Sequence, residues 1–222
     1  MSEGPAIAVV DYGMGNRRSV QKALEHVGAR VQITSDPDQI GGADGVVVPG
    51  VGAFPLAVQN LAARGLIDTL RGYAGEGRPL LGICLGMQLL FERTEELGGA
   101  EGLGLIGGSV TALDTRGLRV PHIGWNEVRF ERSSPLTACL PDAGCAFYHV
   151  HSFAVRPADD RNVVATTTYG ESFATIVARD SIHGVQFHPE KSSADGLRML
   201  EAFVALCGAR VAAPTPVSSL RA

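Results

Sequence analysis

Cys84 stands between two glycines in the stretch Gly82-Ile83-Cys84-Leu85-Gly86, a spacing typical of a nucleophile at a sharp turn between a strand and a helix. The glycines allow close packing around the turn, and the unpaired N–H groups of the helix N-terminus favour a thiolate over a thiol. The N–H of Leu85 would point toward an oxyanion that forms beside the sulfur. Taken alone, the pattern also fits a small cysteine in the core.

His188 and Glu190 are two further candidate catalytic residues, because they directly follow the short strand at 184–187. Residues two apart in an extended chain point the same way, and Pro189 ends the ladder of the strand there. A carboxylate beside an imidazole fixes its tautomer and stabilises the imidazolium. By itself the tripeptide also fits a surface histidine with a solvated glutamate.

A third loop, Pro49-Gly50-Val51-Gly52, follows another strand candidate. Its glycines permit an unusual backbone orientation, so the loop can supply a second oxyanion donor. A flip of one peptide here would turn an N–H toward or away from the oxyanion, which makes the loop a candidate switch. An ordinary glycine-rich turn is the alternative interpretation.

The elements that must position these residues alternate between strands and helices in the first half of the chain. Such alternation predicts a parallel sheet covered on both faces, whose carboxyl edge binds ligands. The first helix carries Val20, Ala23, Leu24 and Val27 on one face and stops near Gly28. The other predicted elements are strands at Ala6–Asp11, Val31–Thr34, Gly45–Val48 and Pro79–Ile83, and helices at Phe54–Arg64, Leu66–Glu76 and Leu85–Arg93.

The second half of the chain predicts short strands with few helices, and therefore a mixed or antiparallel sheet joined to the first. We expect an α/β fold that forms one domain over residues 1–208, followed by a disordered tail at 209–222. The predicted strands are Val110–Leu113, Asn126–Phe130, Cys145–His149, Val163–Thr168, Phe173–Ala178 and Ile182–His188, and the closing helix is Ser193–Cys207.

Composition excludes several classes of protein. The 222 residues are 45% hydrophobic and 19% charged, which is a globular composition, and the net charge of −4 argues against a nucleic-acid partner. Apolar runs stay below the roughly 18 residues that a membrane span needs, and the N-terminus does not resemble a signal peptide. We therefore expect a cytoplasmic protein with reduced cysteines. The cysteines lack the spacing of a zinc site, and we expect neither a metal nor a cofactor.

Two stretches resemble the signatures of the class I, triad-type glutamine amidotransferases: GICLGMQ at 82–88 and GVQFHPEKS at 184–192. Four others are similar to the glutaminase subunits of imidazole glycerol phosphate synthase, a branch of this family in histidine biosynthesis. These stretches are DYGMGN at 11–16, PGVGAF at 49–54, PHIGWN at 121–126 and FYHVHSF at 147–153. Together they cover about residues 6–208.

The resemblance implies that Cys84 attacks the side-chain amide of glutamine, that His188 transfers the proton, and that Glu190 orients His188. It also implies a glutamyl thioester intermediate. The residues that it assigns to the oxyanion and to the glutamine pocket are Gly50, Val51, Gly52, Leu85, Gln88, Glu96, Ser152 and Phe153.

The partner that the resemblance implies is a (β/α)8-barrel cyclase, which receives the ammonia and forms a heterodimer with the glutaminase. Positions that match the interface with this cyclase are Asn16, Trp125, Asn126 and Lys191. Free ammonia production wastes glutamine, so we expect activity to depend on the partner.

Some residues depart from the pattern of the family. Phe153 stands where a tyrosine is frequent, and His149 stands where phenylalanine is common. We interpret His149 as structural and His151 as lining the glutamine pocket. Two alternatives remain: a triad glutaminase of another pathway, such as pyridoxal phosphate synthesis, and a non-catalytic regulator that binds glutamine.

Overall fold

The computed structural model describes residues 4–141 and 144–211. Within these residues the chain forms thirteen strands that join in one sheet. The strands are β1 Ala6–Val10, β2 Arg30–Thr34, β3 Gly45–Gly50, β4 Leu80–Cys84, β5 Phe91–Thr94, β6 Ala100–Glu101, β7 Ile106–Ala112, β8 His122–Phe130, β9 Cys145–His151, β10 Phe153–Pro157, β11 Val163–Tyr169, β12 Glu171–Arg179 and β13 Ile182–Val185.

Within the described residues, five α-helices lie between strands and a sixth follows the last strand. Three short 3-10 turns, at Glu96–Gly98, Asp160–Asn162 and Pro189–Lys191, accompany them. The helices are α1 Arg17–His26, α2 Pro37–Gly42, α3 Phe54–Ala63, α4 Leu66–Gly75, α5 Leu85–Leu89 and α6 Ser193–Val211.

The sheet has a parallel half and a largely antiparallel half. The order β2-β1-β3-β4-β13 is parallel throughout, and β12 joins this half by antiparallel pairing with β13. The order continues through β10, β7, β5 and β6, while β11 links β12 to β8, and β8 pairs with β9. The predicted α/β class is therefore confirmed, with the second-half strands joined to the parallel sheet.

Helices cover both faces of the parallel half, as the apolar runs of its strands require. Alternate residues of β1 point to opposite faces, so Ile7 and Val9 pack with α1 and α6, whereas Ala8 and Val10 pack with α3 and α4. The face of α1 predicted from its periodicity is confirmed, since Val20, Ala23 and Leu24 are buried.

The helix predicted at Leu85–Arg93 is wrong beyond its first turn. It ends at Leu89, and Phe91–Thr94 forms β5 beside β7 instead. The Leu90 carbonyl accepts the N–H groups of Leu105 and Ile106, at the start of β7. In a longer helix the same carbonyl would accept an N–H from the next helical turn. Tertiary pairing therefore overrides the local helical pattern.

Several other elements differ from the sequence prediction. Helix α2 and strands β5, β6 and β10 were not predicted, and each is six residues or shorter. Helix α6 runs to Val211, into the segment where a disordered tail is predicted from residue 209. Residues 212–222 of that tail lie outside the described residues.

The turn between β4 and α5 brings two segments of backbone into unusually close contact. A Cβ atom placed on Gly86 would lie 1.7 Å from the Val48 carbonyl oxygen, and one on Gly82 would lie 2.5 Å from the Gly86 carbonyl oxygen. Only glycine therefore lets α5 begin directly against β3 and β4.

We expect Gly86→Ala to lower the free energy of unfolding by about 3 kcal/mol, because the methyl group collides with backbone that cannot move aside. The matched control is Gly72→Ala in α4, where a Cβ would meet open space. The control should be neutral or stabilising by about 0.5–1 kcal/mol. Urea unfolding of both variants measures the difference, and equal stabilities would contradict the packing argument.

Candidate active site

Cys84 is the last residue of β4, and its backbone lies in a strained region at φ 55° and ψ −111°. A non-glycine residue adopts positive φ only where its surroundings enforce it. The side chain is 5% exposed, and its Sγ atom lies 3.7 Å from the Val150 carbonyl oxygen. Gln186 directs its amide Nε2 at the same sulfur from 3.8 Å. The predicted turn is thus present, and it presents the thiol to the edge of the sheet.

His188 and Glu190 meet as the sequence predicts. The Nδ1 atom of His188 lies 2.9 Å from Glu190 Oε1, and both side chains are buried. Backbone contacts hold His188 in place: its N–H donates to the Tyr148 carbonyl at 2.9 Å, and its carbonyl accepts from Ser192 Oγ at 2.7 Å. Since a carboxylate only accepts, Nδ1 carries a proton and Nε2 is left for the thiol.

The pKa of His188 depends on both neighbouring side chains. Burial lowers the pKa of His188, but hydrogen bonds to Cys84 and Glu190 and the negative charges of both outweigh it, and raise the pKa to about 10. An imidazole in this position can therefore hold the proton of the thiol as an imidazolium. The arrangement suits a nucleophile paired with a proton carrier.

A cavity of about 300 Å³ opens in front of Cys84. It is lined by the sulfur, by His188, and by most of the residues that the sequence assigns to glutamine binding. Glu190 lies behind His188, away from the cavity. The lining residues are Val51, Gly52, Cys84, Leu85, Gln88, Glu96, Pro121, Val150, His151, Ser152, Phe153, His188 and Lys191.

The loop at 49–52 lies beside the nucleophile because β3 pairs with β4. Gly50 is opposite Cys84 in the register, and a Cβ on it would lie 2.6 Å from the Tyr12 hydroxyl. That buried hydroxyl donates to the Pro49 carbonyl at 2.6 Å. Gly52 has φ +105°, a conformation that favours glycine. The backbone of this loop is therefore anchored at Pro49.

Glu96 and Gln88 are both engaged by backbone groups at the cavity. Glu96 accepts the N–H of Phe54 through Oε2 at 2.8 Å, at the first turn of α3. The Nε2 atom of Gln88 donates to the Phe153 carbonyl and to Gln186 Oε1, both at 3.1 Å. These contacts fix the orientation of both side chains.

The four predicted interface residues occupy different places. Trp125 is 54% exposed on β8, edge-on to Tyr148 with ring centroids 6.2 Å apart. Lys191 lines the cavity. Asn16 precedes α1 and directs Nδ2 at Glu190 Oε1 from 3.5 Å, so it lies next to the His188–Glu190 pair. Asn126 is half-buried and turns inward.

Sequence reasoning did not assign Pro121 and Val150 to the cavity wall, and it missed Gln186, His122 and Tyr12 around it. Gln186 precedes His188 by two positions, so the alternation of side chains along an extended segment could have placed it near Cys84. His122 lies four positions before Asn126 in β8, on the same face of the strand. Tyr12 carries no comparable signal, since its contact with Pro49 is made only by the fold.

The described residues contain no group of three or more His, Cys, Asp or Glu side chains arranged to hold a metal ion. His149 and His151 are instead bound to protein atoms: His149 to the Phe147 carbonyl and Thr175 Oγ1, and His151 to the Phe153 carbonyl.

Within residues 4–141 and 144–211, none of the helices is both long and apolar enough to cross a membrane.

Residues 8–207 match the class-I glutamine amidotransferase family. Among solved structures, PurLQS from Thermotoga maritima has a TM-score of 0.73 at 20% identity, covering 91% of this chain and 98% of that chain, which shows a shared fold. The chain therefore belongs to the class-I glutamine amidotransferases.

Relatives narrow the assignment within this family. A protein from Moorella thermoacetica named imidazole glycerol phosphate synthase subunit HisH is 51% identical over 197 residues, covering 89% of this chain and 93% of the relative. A protein of the same name from Symbiobacterium thermophilum is 50% identical over 194 residues, covering 87% and 91%. These similarities place the chain in the HisH branch of the family.

Buried histidines make the stability of the fold dependent on pH. Burial, followed by the charges of nearby histidines, lowers the pKa of His149 to about 3, and burial lowers the pKa of His151 to about 4. Burial also lowers the pKa of His183 to about 4. Each stays neutral in the fold, whereas the unfolded chain binds protons as the pH falls through the ordinary value of 6.5. The free energy of unfolding therefore falls as the pH falls below that value.

We expect His149→Phe to weaken this dependence. Between about pH 7.5 and pH 5, the variant should lose about 2 kcal/mol less of its free energy of unfolding than the parent, because one titrating histidine is gone. Its stability at the higher pH should fall, since Thr175 and the Phe147 carbonyl lose a partner. Urea unfolding at both pH values provides the measurement. The same pH dependence in both proteins would contradict the conclusion that His149 stays neutral in the fold.

Proposed function

We propose that this chain hydrolyses glutamine to glutamate and ammonia through Cys84, His188 and Glu190, and that it passes the ammonia to a (β/α)8-barrel cyclase. It would then serve in histidine biosynthesis, where the cyclase makes imidazole glycerol phosphate and aminoimidazole carboxamide ribotide. The observation that carries the proposal is the strained, buried Cys84 at the mouth of a cavity shared with His188.

In the first half of the reaction, Cys84 Sγ forms a bond to the side-chain amide carbon of glutamine, and the carbonyl electron pair moves onto oxygen. His188 holds the thiol proton and gives it to the amide nitrogen. The C–N bond then breaks, ammonia leaves, and a glutamyl thioester remains on Cys84. Glu190 keeps the imidazole in the required orientation, as its 2.9 Å contact with Nδ1 allows.

In the second half, water attacks the thioester carbon while His188 takes a proton from it. The C–S bond breaks, and glutamate leaves with Cys84 restored. The oxyanion of both tetrahedral intermediates would be held by the N–H of Leu85, at the first position of α5, and by the loop at 50–52.

Substrate binding in this proposal uses the groups around the cavity. Glu96 supplies a carboxylate for the ammonium of glutamine, and Gln88, Ser152 and the Phe153 backbone surround its amino-acid end. A charged acceptor suits an ammonium because such hydrogen bonds are the strong ones. The specificity for glutamine would come from this set.

The docking face for the cyclase is proposed beside the cavity. Large apolar side chains stay exposed there: Leu118 at 50%, Val120 at 58%, Ile123 at 59% and Trp125 at 54%. Ile123 and Trp125 share the outward face of β8, and Lys191 lines the cavity. Clustered apolar exposure next to a polar cavity is typical of a binding surface.

We propose that the whole reaction takes place in the cytoplasm.

We expect Cys84→Ala to abolish glutamate release from glutamine in the complex with the cyclase, while the cyclase continues to use added ammonium. The thioester cannot form without the sulfur. Cys139→Ala is the matched control, since Cys139 is exposed, its Sγ donates to the Arg198 carbonyl at 3.4 Å, and it does not line the cavity. Glutamate release at the parent rate by Cys84→Ala would exclude this nucleophile.

We expect the chain alone to release glutamate at least about tenfold more slowly than the complex with the cyclase and its phosphoribulosyl ligand. The reason is the loop at 49–52, which can point a peptide N–H toward or away from the oxyanion. Parallel assays of the free chain and the complex test this. Equal rates would be consistent with the glutaminase chemistry but would contradict control of the rate by the loop at 49–52.

A further inference from the structure

A continuous line of hydrogen bonds runs from β8 toward the cavity. At the outer end, Asn126 Nδ2 donates to the Thr168 carbonyl at 2.9 Å and lies 3.3 Å from His122 Nε2. The Nδ1 atom of His122 lies 3.0 Å from His151 Nε2. The Nδ1 atom of His151 lies 2.9 Å from the Phe153 carbonyl oxygen. Phe153 is a residue of the cavity wall.

Only one set of tautomers satisfies this line. The Phe153 carbonyl can only accept, so His151 carries its proton on Nδ1 and its Nε2 accepts. His122 must then donate from Nδ1, and its own Nε2 accepts from the Asn126 amide. The Oδ1 atom of Asn126 accepts the Glu127 N–H at 2.9 Å, which fixes the amide in the matching orientation.

The line continues from the Phe153 carbonyl to the nucleophile. Gln88 Nε2 donates to the same carbonyl and to Gln186 Oε1, both at 3.1 Å. The Nε2 atom of Gln186 in turn lies 3.8 Å from Cys84 Sγ. Donors and acceptors therefore alternate without conflict from Asn126 to the sulfur.

Burial makes these contacts strong and costly to break. His122 is 2% exposed, His151 5%, Gln88 5% and Gln186 0%. A buried polar group that loses its partner pays the full cost of desolvation. Burial also lowers the pKa of His122 and lowers that of His151 to about 4, so both rings are neutral at pH 7, as the tautomers require.

We propose that Asn126, His122 and His151 are positioning residues for glutamine binding, which through one fixed set of tautomers hold the Phe153 carbonyl and, through it, the Gln88 amide beside Cys84. The inference rests on the proposed function, since it concerns the same cavity. It also gives Asn126 an inward role in addition to the predicted role at the cyclase interface.

The test compares His122→Phe with His149→Phe in the complex with the cyclase. Both changes replace a buried imidazole in one stack, where the His122 and His149 ring centroids are 5.0 Å apart. Only His122 belongs to the line, since His149 is bonded to Thr175 and the Phe147 carbonyl. We expect His122→Phe to raise the KM for glutamine about tenfold with little change in kcat, and His149→Phe to leave the KM within about twofold.

A double-mutant cycle separates positioning from a merely structural role. Asn126→Ala should raise the KM in the parent but add nothing in the His122→Phe background, because the line is already broken there. Independent effects of the two changes, or equal KM values for His122→Phe and His149→Phe, would overturn the proposal.

A second measurement does not depend on activity or on the folding of a variant. Nitrogen NMR of the parent with labelled histidine at about pH 7 should show His122 and His151 as neutral rings protonated on Nδ1. A proton on Nε2 of His151, or a charged ring, would refute the proposed line. If glutamate release by the complex did not depend on Cys84, the proposed function would instead be refuted, so the two failures are distinguishable.

Discussion

Strand β4 pairs in parallel with β3 on one side and with β13 on the other, and the candidate site depends on this pairing. Parallel strands with matched register end at the same edge, so Gly50 lies opposite Cys84, and Val185 lies opposite Ile83 only three residues before His188. The close approach of Gly86 to β3 then lets α5 begin directly against these strands. Cys84, His188 and the loop at 49–52 thus meet at one edge of the sheet, where open α/β sheets bind ligands.

Burial, with a smaller contribution from charge, keeps the histidines around His188 neutral. The pKa of His188 is raised to about 10, and besides burial its positive charge helps to lower the pKa of His149 and of His151. The histidines nearby therefore stay neutral and act through defined tautomers. The one histidine of this group with a raised pKa, His188, is therefore the one that contacts Glu190 and the cavity beside Cys84, while the surrounding imidazoles stay neutral.

Sequence reasoning succeeded where a residue's neighbours along the chain decide its place. The turn at Cys84, the adjacency of His188 and Glu190, and the buried face of α1 are all local patterns, and the structure contains each of them. It failed where a distant segment intervenes. Phe91–Thr94 has a helical pattern but pairs with β7, and Gln186 reaches Cys84 only because β13 lies beside β4.

The amino-acid sequence alone determined the class of fold, the family and the identity of the candidate catalytic side chains, because glycine spacing, strand alternation and short motifs are encoded within a few residues. Only the tertiary structure decided how far α5 extends, which groups face Cys84, and that Asn126 turns inward to His122. Hydrogen bonds between residues 29 or more positions apart, such as those of His122 with His151 and Gln88 with Gln186, depend on strand pairing across the whole sheet. No local pattern encodes such pairing, since its free energy appears only once the strands have met.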